Sequence, residues 1–178
     1  MAILGVDDFK SKIKGGGARP NLFEVSIGNI PSPAGTLPEK FVVLCKAANL
    51  PASNVASIDV PFRGRIFKVS GDRTFDPWSI TVINDNDFAI RKVMEDWMQH
   101  IAQYKDASGV TTPTDYMASA TVQQLSRQSS TMTATSGSGV VVAREYTFQD
   151  IFPTSVSAID LSADSSNAIE EFTVEFQV

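Results

Sequence analysis

Two carboxylates a few ångströms apart can do general-acid and nucleophile work in glycoside hydrolysis, and Glu170, Glu171 and Glu175 crowd one short stretch of this chain. Their spacing argues against that chemistry. Phe172, Val174 and Phe176 alternate there with Glu171, Thr173, Glu175 and Gln177, the pattern of a strand with one buried and one wet face. Successive strand residues point to opposite faces, so only Glu171 and Glu175 share one. A solvated acidic strand face accounts for them better than a catalytic pair. Asn84-Asp85-Asn86-Asp87 resembles the start of a calcium loop, but the glycine and the distal bidentate Glu are missing. Side-chain acceptors before an apolar periodic run instead suit a helix N-cap, where acid also meets the positive end of the helix dipole.

Other nucleophile and ligand patterns are equally incomplete. Ser138 between two glycines lacks the spacing of a nucleophile elbow, and no CxxC, HExxH or GxGxxG occurs. Gly15-Gly16-Gly17 is not followed by the Lys-Ser/Thr of a phosphate-cradling loop. The single His100 removes most metal and general-base schemes and reads as a packing or surface residue. The single Cys45, inside FVVLCKA, permits no intramolecular disulfide, suits a reducing compartment and reads as a small buried hydrophobe. The residues therefore predict no enzyme, no cofactor and no metal.

The elements that position these residues are mostly strands. Leu22–Ile27 alternates, Lys40–Ala47 follows a Pro/Gly turn at 31–38, and the two predict a hairpin. A loop at Asn49–Ser57 leads to strands at Ile58–Phe62 and Arg65–Ser70, with Gly71-Asp72 as the next turn. Thr74–Ile83 then reads as one strand carrying large groups on both faces. Ile90, Val93, Met94, Trp97, Ile101 and Tyr104 recur at helical spacing and form one apolar stripe. Burying it on a sheet, at about 1.5–3 kcal/mol per large side chain, outweighs the few tenths from surface pairs such as Arg91 with Glu95. Further extended segments are expected at Met117–Leu125, Val140–Phe152, Val156–Leu161 and Ile169–Val178. Ser126–Gly139, polar and small, reads as a mobile loop. Residues 1–19 read as an N-terminal arm, with an amphipathic piece at Val6–Ile13, that either frays or is fixed by a neighbour; 20–178 form a single domain.

A net charge of −5 and a pI near 4.8 argue against a conventional nucleic-acid binder, since Lys and Arg must replace the phosphate counterions. A wall that lets DNA pass without gripping it has this sign. Trp78, Trp97, Phe62, Phe67, Phe75 and Phe88 read as core rather than as a base-stacking platform, because no tracking basic groove accompanies them. Arg63, Arg65, Lys68 and Arg73 spread along strands, where they could pair with acids of a neighbouring subunit. No basic leader with a long apolar core is evident, and no stretch approaches the ~18 apolar residues of a membrane span. A protein made in a cytoplasm is expected.

Several stretches keep a recognisable order: ARPNLFEVSI (18–27), CKAANLPA (45–52), IDVPFRGRIFKVSGDRTFDPWSITVINDNDF (58–88), the helix Arg91–Ile101 and FPTSVSAIDLSADSSNAIEEFTV (152–174). Together, across nearly the whole chain, they resemble the tail tube proteins of contractile-tailed bacteriophages. The Ser126–Gly139 stretch departs from the family in being longer and richer in Ser, Thr and Gly. The resemblance implies a mostly β fold of two orthogonally packed antiparallel sheets, a sandwich or partial barrel flanked by one helix. Six subunits would close into a ring with a continuous inner β-barrel. Stacked rings would form a virion conduit, assembled in the host bacterial cytoplasm, through which double-stranded DNA passes without specific binding.

Implied partners are the chain itself, the tail sheath, baseplate tube proteins, the tape measure and the tail terminator. Glu171 and Glu175, with Asp150 and Asp160 as weaker candidates, would face the lumen; alternatively they face outward or pair with the basic strand residues. Phe9, Arg19, Asn21, Arg63, Arg65 and Arg73 are candidates for subunit or ring contacts. Two other readings share the resemblance: a tube of a type VI-like or other contractile injection system passing proteins, and a baseplate or tail-end paralogue of the tube protein.

Overall fold

The structure, a computed structural model, describes residues 5–13, 17–106, 108–129 and 140–178. Among the described residues three α-helices, α1 (Val6–Lys12), α2 (Phe41–Leu44) and α3 (Ala89–Ile101), accompany eight strands. The strands are β1 (Phe23–Gly28), β2 (Cys45–Ala48), β3 (Ser53–Phe62), β4 (Arg65–Phe75), β5 (Trp78–Ile83), β6 (Ala118–Ser129), β7 (Val140–Val156) and β8 (Glu171–Gln177). They form a six-stranded sheet in the order β1-β6-β7-β8-β5-β2 and a separate two-stranded ribbon of β3 and β4. The expected β-rich, two-sheet class with one long helix is what the chain adopts.

The chain divides into two compact units. The first holds the described residues up to Ser26 and those between Thr121 and Thr147. Val25 and Val122 are its buried residues among those described, and the Leu125 amide donates to the Leu22 carbonyl at 2.9 Å. Gln123 Nε2 donates to Glu145 Oε2 at 2.7 Å.

The second unit, Ile27–Ala120 with Phe148–Val178, holds most of the core. In β5 and β8 every second residue is buried: Trp78, Ile80 and Val82 on one, Phe172, Val174 and Phe176 on the other. Their antiparallel register sets Trp78 opposite Phe176, Ile80 opposite Val174 and Val82 opposite Phe172, so the apolar groups fall on one face as the period of two requires. Helix α3 covers that face with Ile90, Met94 and Trp97 buried and Val93 and Ile101 half-buried. Trp97 meets Phe176 at 5.9 Å between ring centroids, and Trp78 meets Phe148 and Phe176 at 5.1 and 5.2 Å. Cys45 is buried as expected, and burial pushes its thiol up to about 11.

Several expectations are overturned. Thr74–Ile83 is not one strand, because Asp76-Pro77 separates β4 from β5 and Pro77 has no N–H for a ladder. Only one face of β5 is buried. Gly71-Asp72 is not a turn but a bulge inside β4, opposite Ala56. A Cβ on Gly71 would lie 3.1 Å from the Ile58 side chain and 3.2 Å from the Ala56 carbonyl oxygen. The loop expected at Asn49–Ser57 ends at Ala52, and β3 begins at Ser53.

The hairpin expected between 22–27 and 40–47 does not form: β1 neighbours β6, β2 neighbours β5, and Phe41–Leu44 is a helical turn. A short apolar run such as FVVL has no periodicity that separates helix from strand. Tyr104 lies beyond the end of α3 and is 78% exposed, outside the stripe. The segment after Val156 is irregular up to β8, with Leu161 80% exposed. Of the expected loop 126–139, residues 126–129 continue β6 and 130–139 lie outside the described residues.

The Asn84–Asp87 cluster acts differently from a simple cap. Phe88, in the left-handed region at φ 53°, occupies the N-cap position of α3 without a side-chain bond. Asp87 Oδ1 accepts from the Ala89 amide at 3.1 Å. Both acids bind Lys40, whose ammonium donates to Asp85 at 2.7 Å and also to Asp87. These bonds hold both carboxyls below the ordinary 3.8 and Lys40 above the ordinary 10.5.

The depressed acids contribute stability above pH 3.8 that is lost as pH falls through their folded values, and the raised lysine contributes below pH 10.5 and loses it as pH rises through its own. Lys40→Met should therefore lower the melting temperature at neutral pH but not well below pH 3.8. An equal deficit at both pH values in calorimetric scans would show that Lys40 acts through packing alone.

Candidate functional site

Two surfaces of the second unit stand out, one polar and one apolar. The polar one is the face of β5 and β8 turned away from the core. Ser79, Thr81, Ile83, Glu171, Thr173, Glu175 and Gln177 lie on it by register. Hydrogen bonds knit it together: Thr81 Oγ1 and Thr173 Oγ1 are 3.3 Å apart, and Ser157 Oγ accepts from the Thr173 amide at 2.9 Å. Ser155 Oγ donates to Glu175 Oε2 at 3.3 Å.

Charge is unevenly distributed on this face. Lys46, set out by the bulge in β2, donates to both oxygens of Glu171 at 2.6 and 2.8 Å. Glu175 has no cation among the described residues, so the net negative charge of the face resides there. Asp150, at φ 58° in β7, and Asp160, in the irregular segment, are exposed. Glu171 and Glu175 thus share a face as their spacing predicts.

The apolar surface is the β3–β4 ribbon. Its two-residue turn, Arg63-Gly64, has φ of 45° and 79°, the positive pair that matches strand twist in tight hairpins. Register sets Ile58 opposite Val69, Val60 opposite Phe67 and Phe62 opposite Arg65 on one face. Ser57 opposite Ser70, Asp59 opposite Lys68 and Pro61 opposite Ile66 form the other, where Lys68 donates to Asp59 at 2.6 Å. No residue of the ribbon is buried, and Phe62 and Phe67 are 65% and 67% exposed. A two-stranded ribbon is at best marginally stable in water by itself, and a contiguous exposed apolar face marks an interaction surface.

Arg63, Arg65 and Arg73 all lie on this ribbon and are exposed, with the Arg63 guanidinium 5.4 Å from the centre of the Phe62 ring. Phe62, Phe67 and Phe75, expected in the core, are exposed here as well, whereas Trp78 and Trp97 are buried. Phe9, on α1 with Val6, is exposed, as are Arg19 and Asn21. The Arg19 carbonyl accepts from Gln124 Nε2 at 3.4 Å. His100 faces the Asp115 carbonyl oxygen at 3.3 Å.

A β-rich domain with an uncovered apolar ribbon presents a surface suited to contact with another chain. Residues 18–178 match the profile of the family described as phage tail tube protein. The tail tube protein gp19 of Enterobacteria phage T4 is 36% identical over 170 residues, spanning 95% of this chain and 94% of that protein. The tail tube protein of Serratia phage KSP90 is 23% identical over 176 residues, or 97% and 93% of the two chains. Among solved structures, a chain of the anti-feeding prophage baseplate shares the fold at a TM-score of 0.60 and 11% identity, covering 90% of this chain and 91% of that one. The chain belongs to the phage tail tube protein family. It is accordingly a structural component of the virion, homologous to T4 gp19.

Proposed function

We propose that six copies close into a ring whose inner wall is a continuous β-barrel of orthogonally packed sheets, and that rings stack into a hollow tube conducting duplex DNA into the host. The observation that carries this reading is the exposed apolar ribbon, which leaves a single chain incomplete. A closed ring also hides the sheet edges that β1 and β2 leave open. The sheath, baseplate tube proteins, tape measure and terminator are the partners such a tube requires. A protein-passing tube would share the fold, but the kinship to phage tail tube proteins favours genome passage.

The polar face of β5 and β8 suits the lumen. Duplex DNA carries a charge per ~1.7 Å, and screening acts within about 8 Å at physiological salt, so a weakly acidic, hydroxyl-lined wall repels it at short range. Glu175 supplies that charge, while Lys46 offsets Glu171. Electron microscopy of the purified protein tests assembly, with six-fold hollow tubes as the expected result and a persistent monomer as the refutation. Replacing Glu175 by Lys should permit tubes but slow DNA ejection more than Glu171→Lys does. Equal, unchanged ejection by both fully assembled particles would remove this face from the lumen.

A further inference from the structure

β4 ends at Phe75 and β5 begins at Trp78, and the two residues between them, Asp76 and Pro77, are exposed and belong to neither ladder. They are the one place in the chain where proline follows aspartate. The Asp76 amide donates to the Ala52 carbonyl at 3.0 Å, and Asp76 Oδ1 accepts from Asn54 Nδ2 at 3.0 Å. Asp76 has no salt bridge among the described residues. Past Pro77, the Ser79 amide donates to Asn49 Oδ1 at 2.8 Å and the Asn49 amide to the Ser79 carbonyl at 3.2 Å. The Asp76–Pro77 peptide is thus a short span, tied at both ends and open to water.

In acid such a bond can be opened by its own side chain. The carboxyl and the backbone carbonyl carbon belong to one residue, so the attack is intramolecular and closes a five-membered ring, an arrangement in which proximity replaces a bimolecular encounter. A carboxyl oxygen bonds to that carbon, the carbon–nitrogen bond breaks, and its electron pair stays on the Pro77 nitrogen, which takes up the carboxyl proton. Because that nitrogen belongs to a tertiary amide, it leaves as a basic secondary amine. Water then opens the cyclic anhydride and leaves Asp76 with a side-chain and a terminal carboxyl.

We propose that Asp76–Pro77 is a self-scission site of this subunit in acid, restrained in the folded chain by the hydrogen bond from Asn54. That bond ties the Asp76 carboxyl across to β3, and a side chain held in one rotamer samples the attacking geometry less often than a free one. The cut separates residues 1–76, which carry the ribbon, from residues 77–178, which carry β5 to β8 and α3. The ribbon then stays covalently joined through β3 alone. Since a two-stranded ribbon is at best marginally stable by itself, the cut loosens the surface on which assembly was argued to depend. That consequence rests on the tube reading, whereas the cut does not. Loss of the Lys40 ion pairs in acid reverses at neutral pH; scission is permanent.

The test keeps the full chain at the lowest pH where circular dichroism still shows it folded and follows its mass with time. Complementary fragments 1–76 and 77–178 should accumulate. Asp76→Glu, whose longer arm must close a larger ring, should cut at least about tenfold more slowly. Asn54→Ala, which frees the carboxyl to sample its staggered wells, should cut about threefold or more faster than the wild type. In urea at the same pH, Asn54→Ala and the wild type should cut at one rate. An intact wild-type chain, or equal cutting by Asp76→Glu, overturns the site. Equal rates for Asn54→Ala and the wild type when folded, or a difference that persists in urea, overturn the restraint. Fragments from a wild-type chain that never forms tubes at neutral pH would refute the tube reading and leave the scission site standing.

Discussion

Replacing Val60 and Phe67 together by Asp should abolish tube formation while leaving a folded monomer. The two residues face each other across the ribbon and are 42% and 67% exposed. In the free subunit the change removes one cross-strand apolar pair, worth at most about 1 kcal/mol. In an assembled tube it would bury two carboxylates against apolar surface, at several kcal/mol each without a partner. The asymmetry between these costs makes the outcome diagnostic. Sedimentation velocity and electron microscopy would read assembly, and calorimetry the monomer; tubes of ordinary length from the double variant would exclude this ribbon face from subunit contacts. Val60→Ile with Phe67→Leu keeps the face apolar and should still assemble.

The ribbon also marks where sequence reading ran out. Alternation at Ile58, Val60 and Phe62, the Arg63-Gly64 turn and the return through Phe67 and Val69 all announce two strands. They do not say whether the apolar face meets its own core or another chain. Phe62, Phe67 and Phe75 look like core residues by type and are exposed, because no described residue of this chain covers them. The β8 alternation and the α3 stripe were legible since both faces of each element are settled within one subunit. Lys40 and Lys46 were not, because their carboxylate partners are 45 or more residues away in sequence. The Asp76-Pro77 break was signalled by Pro77 itself, and the large residues on both sides of it masked that signal.

The largest loss of stability should come from Trp97→Ala. Trp97 is fully buried where α3 meets the sheet, its ring tilted against that of Phe176, and its indole N–H donates to the Tyr116 carbonyl at 2.7 Å. Truncating a buried Trp costs about 3–5 kcal/mol, against a total of about 5–15 kcal/mol for a domain. Trp78 gives an internal control, because it is equally buried but its N–H has no hydrogen-bond partner among the described residues. Trp97→Phe leaves the Tyr116 carbonyl without its donor, an extra ~1–3 kcal/mol, whereas Trp78→Phe removes a donor that was satisfying nothing. Denaturant titrations should thus rank the losses Trp97→Ala, then Trp97→Phe, then Trp78→Phe. A larger loss for Trp78→Phe than for Trp97→Phe would mean that ring volume, not the Tyr116 bond, sets the stability of this layer. Because α3 shields the apolar face whose reverse bears Glu171 and Glu175, loosening it should cost tube assembly as well as subunit stability.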